Sequence, residues 1–172
     1  MKEEQEQPTN EPELSSREDY FERIYAHVVN PGEVHCHCLT DRDMDDFDCV
    51  REVAIDKAAS GEMVYILPVL LENDPLYGKI FEGAKEKKCP DLKINGVYIE
   101  IKEPTEELTE NKISKCIQNC HKQANHVIIV LRSKFNLYNL RRIINGRFKT
   151  HEDLEIVEVK MEEKYYTFTR QD

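Results

Sequence analysis

Asn95-Gly96 is the feature that most narrows the folds open to this chain. The dipeptide stands between two runs of strand formers, and Asn-Gly is the strongest short signal for a two-residue type I′ hairpin. With those residues as the loop, Ile94 faces Val97, Lys93 faces Tyr98, Leu92 faces Ile99 and Asp91 faces Glu100. Side chains alternate between faces with a period of two. One face therefore collects Leu92, Ile94, Val97, Ile99 and Ile101, and the other Asp91, Lys93, Tyr98, Glu100 and Lys102. A slip of one residue would turn the apolar set toward water, so the register is well specified.

The same register sets two carboxylates opposite each other, where β-carbons lie about 4.5–5.5 Å apart and like charges destabilise. A divalent cation relieves that conflict. Mg²⁺ takes oxygen ligands and often uses only one or two carboxylates, with water and phosphate oxygens completing its shell. Lys102, two residues beyond Glu100 on the same face, is placed to hold a water or to stabilise charge developing on phosphorus. Such a set suits metal-assisted phosphodiester hydrolysis, in which the ion polarises the phosphate and lowers the pKa of the attacking water. The alternative is an amphipathic hairpin with solvated charges.

Pro90-Asp91, eight intervening residues, then Glu100-Ile101-Lys102 resembles the PD-(D/E)xK nuclease signature. That superfamily includes restriction endonucleases, Holliday-junction resolvases and some toxin nucleases. The resemblance implies a phosphodiesterase dependent on Mg²⁺ or Mn²⁺, with Asp91 and Glu100 as metal ligands and Lys102 as the charge-stabilising or water-orienting residue. It also implies an α/β fold with a mixed sheet and a restriction-endonuclease-like core: helix, three-strand meander, helix, strand.

The flanking patterns can be read in that order. Residues 45–61 space Phe47, Val50, Ala54 and Ala58 as a helix closed by Gly61. Residues 62–71 form a strand-like apolar run ahead of the hairpin. Residues 110–124 place Ile113, Cys116, Ile117, Cys120 and Ala124 on one helical stripe, and "HVIIVL" (126–131) reads as a strand buried on both faces. Four further elements are expected: a helix over 75–88, a helix over 136–148, a terminal hairpin over 154–170 turning near Glu162-Glu163, and an extra N-terminal helix over 15–29. The last rests on serine caps, early acids and the spacing of Phe21, Ile24, Tyr25 and Val28. Residues 1–14 have too little apolar surface to fold and read as a disordered acidic tail. Residues 15–172 then form one nuclease-like domain. No 18-residue apolar run and no apolar leader occur, so a cytoplasmic location with no membrane partner is expected.

Among superfamily members the first core helix often adds a carboxylate, and Glu52 occupies the matching place, with Asp48 and Asp56 one turn away on either side. The second core helix often adds a polar residue facing the site, for which "HKQANHVII" offers Lys122 and Gln123. Residues 45–131 are loosely similar to toxin nucleases that cleave tRNA, including contact-dependent inhibition toxin domains. That similarity implies an immunity or inhibitor protein as partner.

The net charge of −10 argues against a nucleic-acid enzyme only on average. Residues 1–60 hold 6 Lys/Arg and 16 Asp/Glu, which accounts for all of it (6 − 16 = −10). Residues 111–151 carry Lys112, Lys115, Lys122, Arg132, Lys134, Arg141, Arg142, Arg147 and Lys149 and no acid. A basic block beside an acidic metal site is an electrostatic footprint for a phosphate backbone. Arg141, Arg142 and Arg147 are the candidate phosphate contacts, and Tyr138 or Phe148 a candidate base-stacking ring. The alternative is a solvated helical face. "EVHCHCLTD" (33–41) offers zinc-ligand types at His35, Cys36, His37 and Cys38, but one-residue spacing on a strand sends them to opposite faces and favours a half-buried strand or loop. Two functions thus remain: a metal-dependent nuclease acting on DNA or RNA, or a catalytically silent module of the same fold that binds nucleic acid or a protein partner.

Overall fold

The hairpin is the centre around which the sheet is built. In the computed structural model, which describes residues 20–105 and 107–170, Asn95 and Gly96 have φ of 50° and 84°, the signs a type I′ turn needs. They join β4 (Leu92–Ile94) to β5 (Val97–Lys102) in the expected register, Leu92 opposite Ile99, Lys93 opposite Tyr98 and Ile94 opposite Val97. β3 (Met63–Ile66) runs antiparallel to β4 and completes a three-strand meander. α3 (Glu110–His121) then crosses to β6 (His126–Leu131), parallel to β5. α4 (Leu137–Thr150) makes a second crossover to β7 (Ile156–Met161), and β8 (Lys164–Thr169) returns antiparallel through a turn at Glu162 and Glu163. α1 (Phe47–Ala59) precedes β3. The chain is α/β, with one mixed sheet of eight strands in the order β1 to β8.

The N-terminal helix expected over 15–29 does not form in its described part. Phe21–Ala26 is instead β1, antiparallel to β2 (Glu33–His37), which is parallel to β3. A helix there would leave the edge of β2 unpaired. Pro31 and Gly32 turn the chain back so that Phe21 meets His37 and Arg23 meets His35, and aromatic and β-branched residues suit the half-buried strand. Residues 1–14 lie outside the described residues. The helix over 75–88 shrinks to a single turn, α2 (Tyr77–Ile80). Positive φ at Gly83 and Lys87 breaks the helical path beyond it. β3 ends at Ile66, two residues before Pro68, which cannot donate to a ladder.

Two cores hold the sheet. On one face α1 packs Val50, Val53, Ala54 and Ala58 against Val34, Ile66, Leu92, Ile99, Ile101 and Ile128. On the other, α3 and α4 bury Ile113, Ile117, Leu140 and Ile144 over Val127, Ile129, Val157 and Val159. Further along that second face, α2 and its flanking loops close a smaller cluster of Leu67, Ile80 and Phe81 over Tyr65 and Tyr98. Between the two coverings a seam runs over β4 and β5, and the polar face of the hairpin opens into it. No helix among the described residues is long and apolar enough to cross a membrane.

Gly32 fixes how closely β2 approaches α1. A β-carbon there would lie 1.8 Å from the Ala58 carbonyl oxygen, a backbone atom that has no room to give. Gly32→Ala is therefore expected to cost at least about 1–3 kcal/mol, the usual range for overpacking. A urea midpoint equal to that of the wild type would contradict this close approach.

Candidate active site

Asp91 and Glu100 come together at the seam. Asp91 ends the segment leading into β4, and its Oδ2 accepts a hydrogen bond from the Ile101 N–H at 2.8 Å. That bond draws its carboxyl across to β5, where Glu100 sits one residue earlier. Glu100 Oε2 is shut off from solvent and has no hydrogen-bond partner. A buried carboxylate oxygen without a partner is costly, so the fold holds the pair under strain. Burial raises Asp91 from 3.8 to about 7; the Ile101 N–H opposes this, Asp46 adds to it and Lys102 opposes it. Burial, then repulsion from Asp91, raises Glu100 from 4.5 to about 9, with Lys102 acting in the opposite sense. Both shifts are upward, and burial is the largest cause of each.

Lys102 is exposed and lines an open cavity of about 720 Å³ together with Asp43, Asp45, Asp46, Cys49 and Glu103. Asp46 is the carboxylate that sequence reasoning missed. It is the N-cap residue of α1, yet its side chain makes no cap hydrogen bond, and its charge acts on both Asp91 and Glu100. It also lines a small cleft shared with Asp91. The signal was legible, since an Asp immediately before an apolar-periodic run marks a helix N-terminus.

Glu52, the residue expected to complete the site, is engaged elsewhere. Its carboxylate holds Arg132 at 2.8 Å and Lys160 at 2.5 Å, and Arg132 also grips Glu103 at 2.7 Å. Asp56 shares Lys160 and accepts from the Tyr165 hydroxyl, while Asp48 is exposed. Glu52 and Asp56 thus face β7 across the far side of α1. Among the described residues, no group of three or more His, Cys, Asp or Glu is placed to hold a metal ion. That finding applies equally to His35, Cys36, His37 and Cys38: β2 carries the first three, His37 is buried against Tyr20 and Phe21, and His35 is bound to Glu33 at 2.8 Å. What the seam offers is a two-carboxylate site. Its orphaned oxygen and raised carboxyls fit a hard divalent ion that keeps most of its water or takes phosphate oxygens.

The helix facing the seam is α3. It presents Cys116 and Cys120, hydrogen-bonded to each other; the bond holds the Cys116 thiol below its usual value and, with burial, pushes Cys120 up. Gln123 lies past the helix end, half-buried, with its backbone N–H bonded to the Cys120 carbonyl. Lys122 is exposed at the C-cap.

The basic block is more committed than its sequence suggests. Arg142 pairs with Glu110 at 2.5 Å, Arg147 donates to the Ser114 hydroxyl at 2.8 Å, and Lys134 meets Glu162 at 3.4 Å. Arg147 therefore ties α4 to α3. Arg141 is exposed beside Leu137, Tyr138, Tyr166 and Phe168. Phe148 is core, whereas Tyr138 is 78% exposed.

The raised carboxyls carry a consequence for stability. A carboxyl whose pKa is higher in the folded state keeps its proton longer there, so its stabilising effect is complete below about pH 4 and is lost as pH rises through the folded value. Metal-free protein should accordingly lose Tm steadily between about pH 5 and pH 9, at about 2–4 °C per kcal/mol for a chain of this size. Glu100→Gln should flatten that slope. A Tm rising with pH across this window in the metal-free protein would show that the pair is not buried as described.

A family model described as the contact-dependent growth inhibition CdiA C-terminal domain matches residues 88–164. The match takes in the hairpin, α3, β6, α4 and β7, with Asp91, Glu100 and Lys102 inside it and Asp46 and Glu52 outside. It covers just under half of the 172 residues. No curated protein and no solved structure matches the chain.

Proposed function

We propose that the chain is a metal-dependent nuclease of the toxin kind, hydrolysing phosphodiester bonds in DNA or RNA, with tRNA among the candidate substrates. The observation that carries this reading is the buried Asp91–Glu100 pair with its partnerless Glu100 Oε2 beside Lys102. Asp91 and Glu100 would hold the ion, Mg²⁺ or Mn²⁺, which when bound supplies polarisation of a phosphoryl oxygen and a nucleophilic water near neutral pH. The Ile101 N–H orients Asp91 through one carboxylate oxygen and leaves the other for binding. Lys102, at the open cavity, stabilises charge on the phosphate or orients a water. Asp46 adds negative potential that attracts a cation to the pair. The succession α1, β3–β4–β5, α3, β6 supports a restriction-endonuclease-like core.

Similarity over residues 88–164 to the CdiA C-terminal domain supports the toxin reading. An immunity or inhibitor protein is then the partner that would keep such an activity harmless to its producer. One observation favours the silent-module reading instead: the cavity rim holds Asp43, Asp45 and Asp46, which repel phosphate unless neutralised. The test is a panel of tRNA, single-stranded and duplex substrates with Mg²⁺, with Mn²⁺ and with EDTA. Cleavage requiring the ion is expected. Binding without cleavage under every condition would favour the silent module.

Arg141 is the exposed candidate for binding the phosphate backbone, so Arg141→Glu should weaken substrate binding. It should also lower the slope of log K against log salt by about one for each phosphate that is no longer neutralised. An unaltered slope would remove Arg141 from the interface.

A further inference from the structure

Toward the turn end of the hairpin lies a cavity of about 390 Å³ lined by Phe21, Tyr65, Leu67, Ile80, Lys93 and Asn95. Its size falls within the range of ligand pockets, about 300–1,000 Å³. Lys93 of β4 lies two residues beyond Asp91, about 7 Å along extended chain. Tyr65 is its cross-strand partner, and the Leu67 N–H bonds the Asp91 carbonyl at 2.9 Å.

Two of the lining side chains, Phe21 and Tyr65, are aromatic. Phe21 meets Tyr65 edge-on at 5.2 Å, and His35 packs against the same ring at 5.4 Å. Two polar groups among them have capacity to spare. Lys93 Nζ lies 4.4 Å from the Tyr98 ring centroid and donates to the Tyr98 hydroxyl at 3.0 Å, but an ammonium has three donors. The Tyr65 hydroxyl has no hydrogen-bond partner among the described residues.

We propose that this cavity is a nucleobase subsite that seats an unpaired base of a substrate whose phosphate is attacked at the ion site of Asp91 and Glu100. The proposal rests on the phosphodiesterase reading and adds its substrate class: single-stranded or locally opened nucleic acid. Aromatic walls suit the flat face of a base, and stacking of this kind tolerates every base. Discrimination comes from Lys93. An ammonium only donates, and the carbonyl oxygens of guanine and uracil attract it more strongly than the ring nitrogens that are adenine's only acceptors. A base paired in a duplex cannot enter, because its edges and faces are already covered.

Fluorescence anisotropy of the full chain in EDTA tests this with three labelled single strands of equal length: oligo(U), oligo(A) and an abasic sugar-phosphate chain. Oligo(U) is expected to bind at least about tenfold more tightly than the abasic chain, and more tightly than oligo(A). Lys93→Met should abolish the preference for oligo(U) over oligo(A) while leaving abasic binding intact. Tyr65→Leu, which keeps apolar volume and so protects the fold, should remove most of the advantage of bases over abasic chain. Equal binding of all three strands to the wild type, or unchanged discrimination in both variants, overturns the proposal. The two readings fail separately. Ion-dependent cleavage that ignores base identity removes the subsite and leaves the nuclease, whereas base-selective binding without cleavage of any substrate removes the nuclease and leaves the subsite.

Discussion

Replacing Glu100 with alanine is expected to lower ion-dependent phosphodiester cleavage by about a thousandfold. A bound ion contributes several kcal/mol to stabilising charge in the transition state, and each 1.36 kcal/mol is a factor of ten in rate. Glu100 supplies a buried carboxylate oxygen that has no hydrogen-bond partner, so its loss should weaken ion affinity and turnover together. Lys102→Ala should separate the two, since Lys102 is exposed at the cavity and is not a ligand type. Its removal should lower the rate far more than the ion affinity. Glu52→Ala makes an instructive contrast. Glu52 is occupied by Arg132 and Lys160, so its loss should disturb stability while ion affinity stays close to wild type. A Glu100→Ala protein with full activity would place the chemistry elsewhere.

Glu158→Ala should destabilise the fold by about 3–5 kcal/mol, the cost of removing one partner from a buried ion pair. Glu158 lies on the α1-facing side of β7, 5% exposed, and binds Lys57 at 2.8 Å and His126 at 2.7 Å. Burial alone would raise its carboxyl, but the hydrogen bonds from His126 and Lys57 outweigh that and hold it below 4.5. The linkage runs opposite to that at the seam. A carboxyl with a depressed folded value adds stability that is present above its unfolded value and is lost as pH falls through the folded one. The Glu158→Ala protein should therefore lose less stability than wild type on acidification below about pH 4.5. Urea melts at pH 7 and pH 3 measure both effects. A deficit that is the same size at both values would mean that the carboxylate contributes volume and not charge.

How far the sequence reveals the molecule depends on whether local chemistry or distant partners decide. The Asn95-Gly96 turn, the period-two alternation and the helical stripes of α1, α3 and α4 are local, and each appears where its pattern places it. β1 is decided by β2, which offers an unpaired edge to a segment whose spacing also suits a helix. The same distinction governs the site. Asp91 and Glu100 are brought together by one hairpin, so a turn dipeptide suffices to pair them. Which acid of α1 acts on them depends on which end of the helix reaches the seam. The resemblance points to its middle, where Glu52 in fact serves β7, whereas it is Asp46 at the N-terminus whose charge acts on the pair. Likewise, an acid-free run marks a basic segment but does not show that Arg142 and Arg147 are spent on Glu110 and Ser114.

The central claim is that Asp91 and Glu100 form a cation site, and anomalous diffraction from a crystal soaked in Mn²⁺ tests it most directly. The expected result is a peak between the two carboxylates, bonded to Glu100 Oε2 and to the Asp91 oxygen not held by Ile101, with water filling the remaining positions. A seam without a peak at saturating Mn²⁺, with Glu100 Oε2 still lacking a partner, would contradict it.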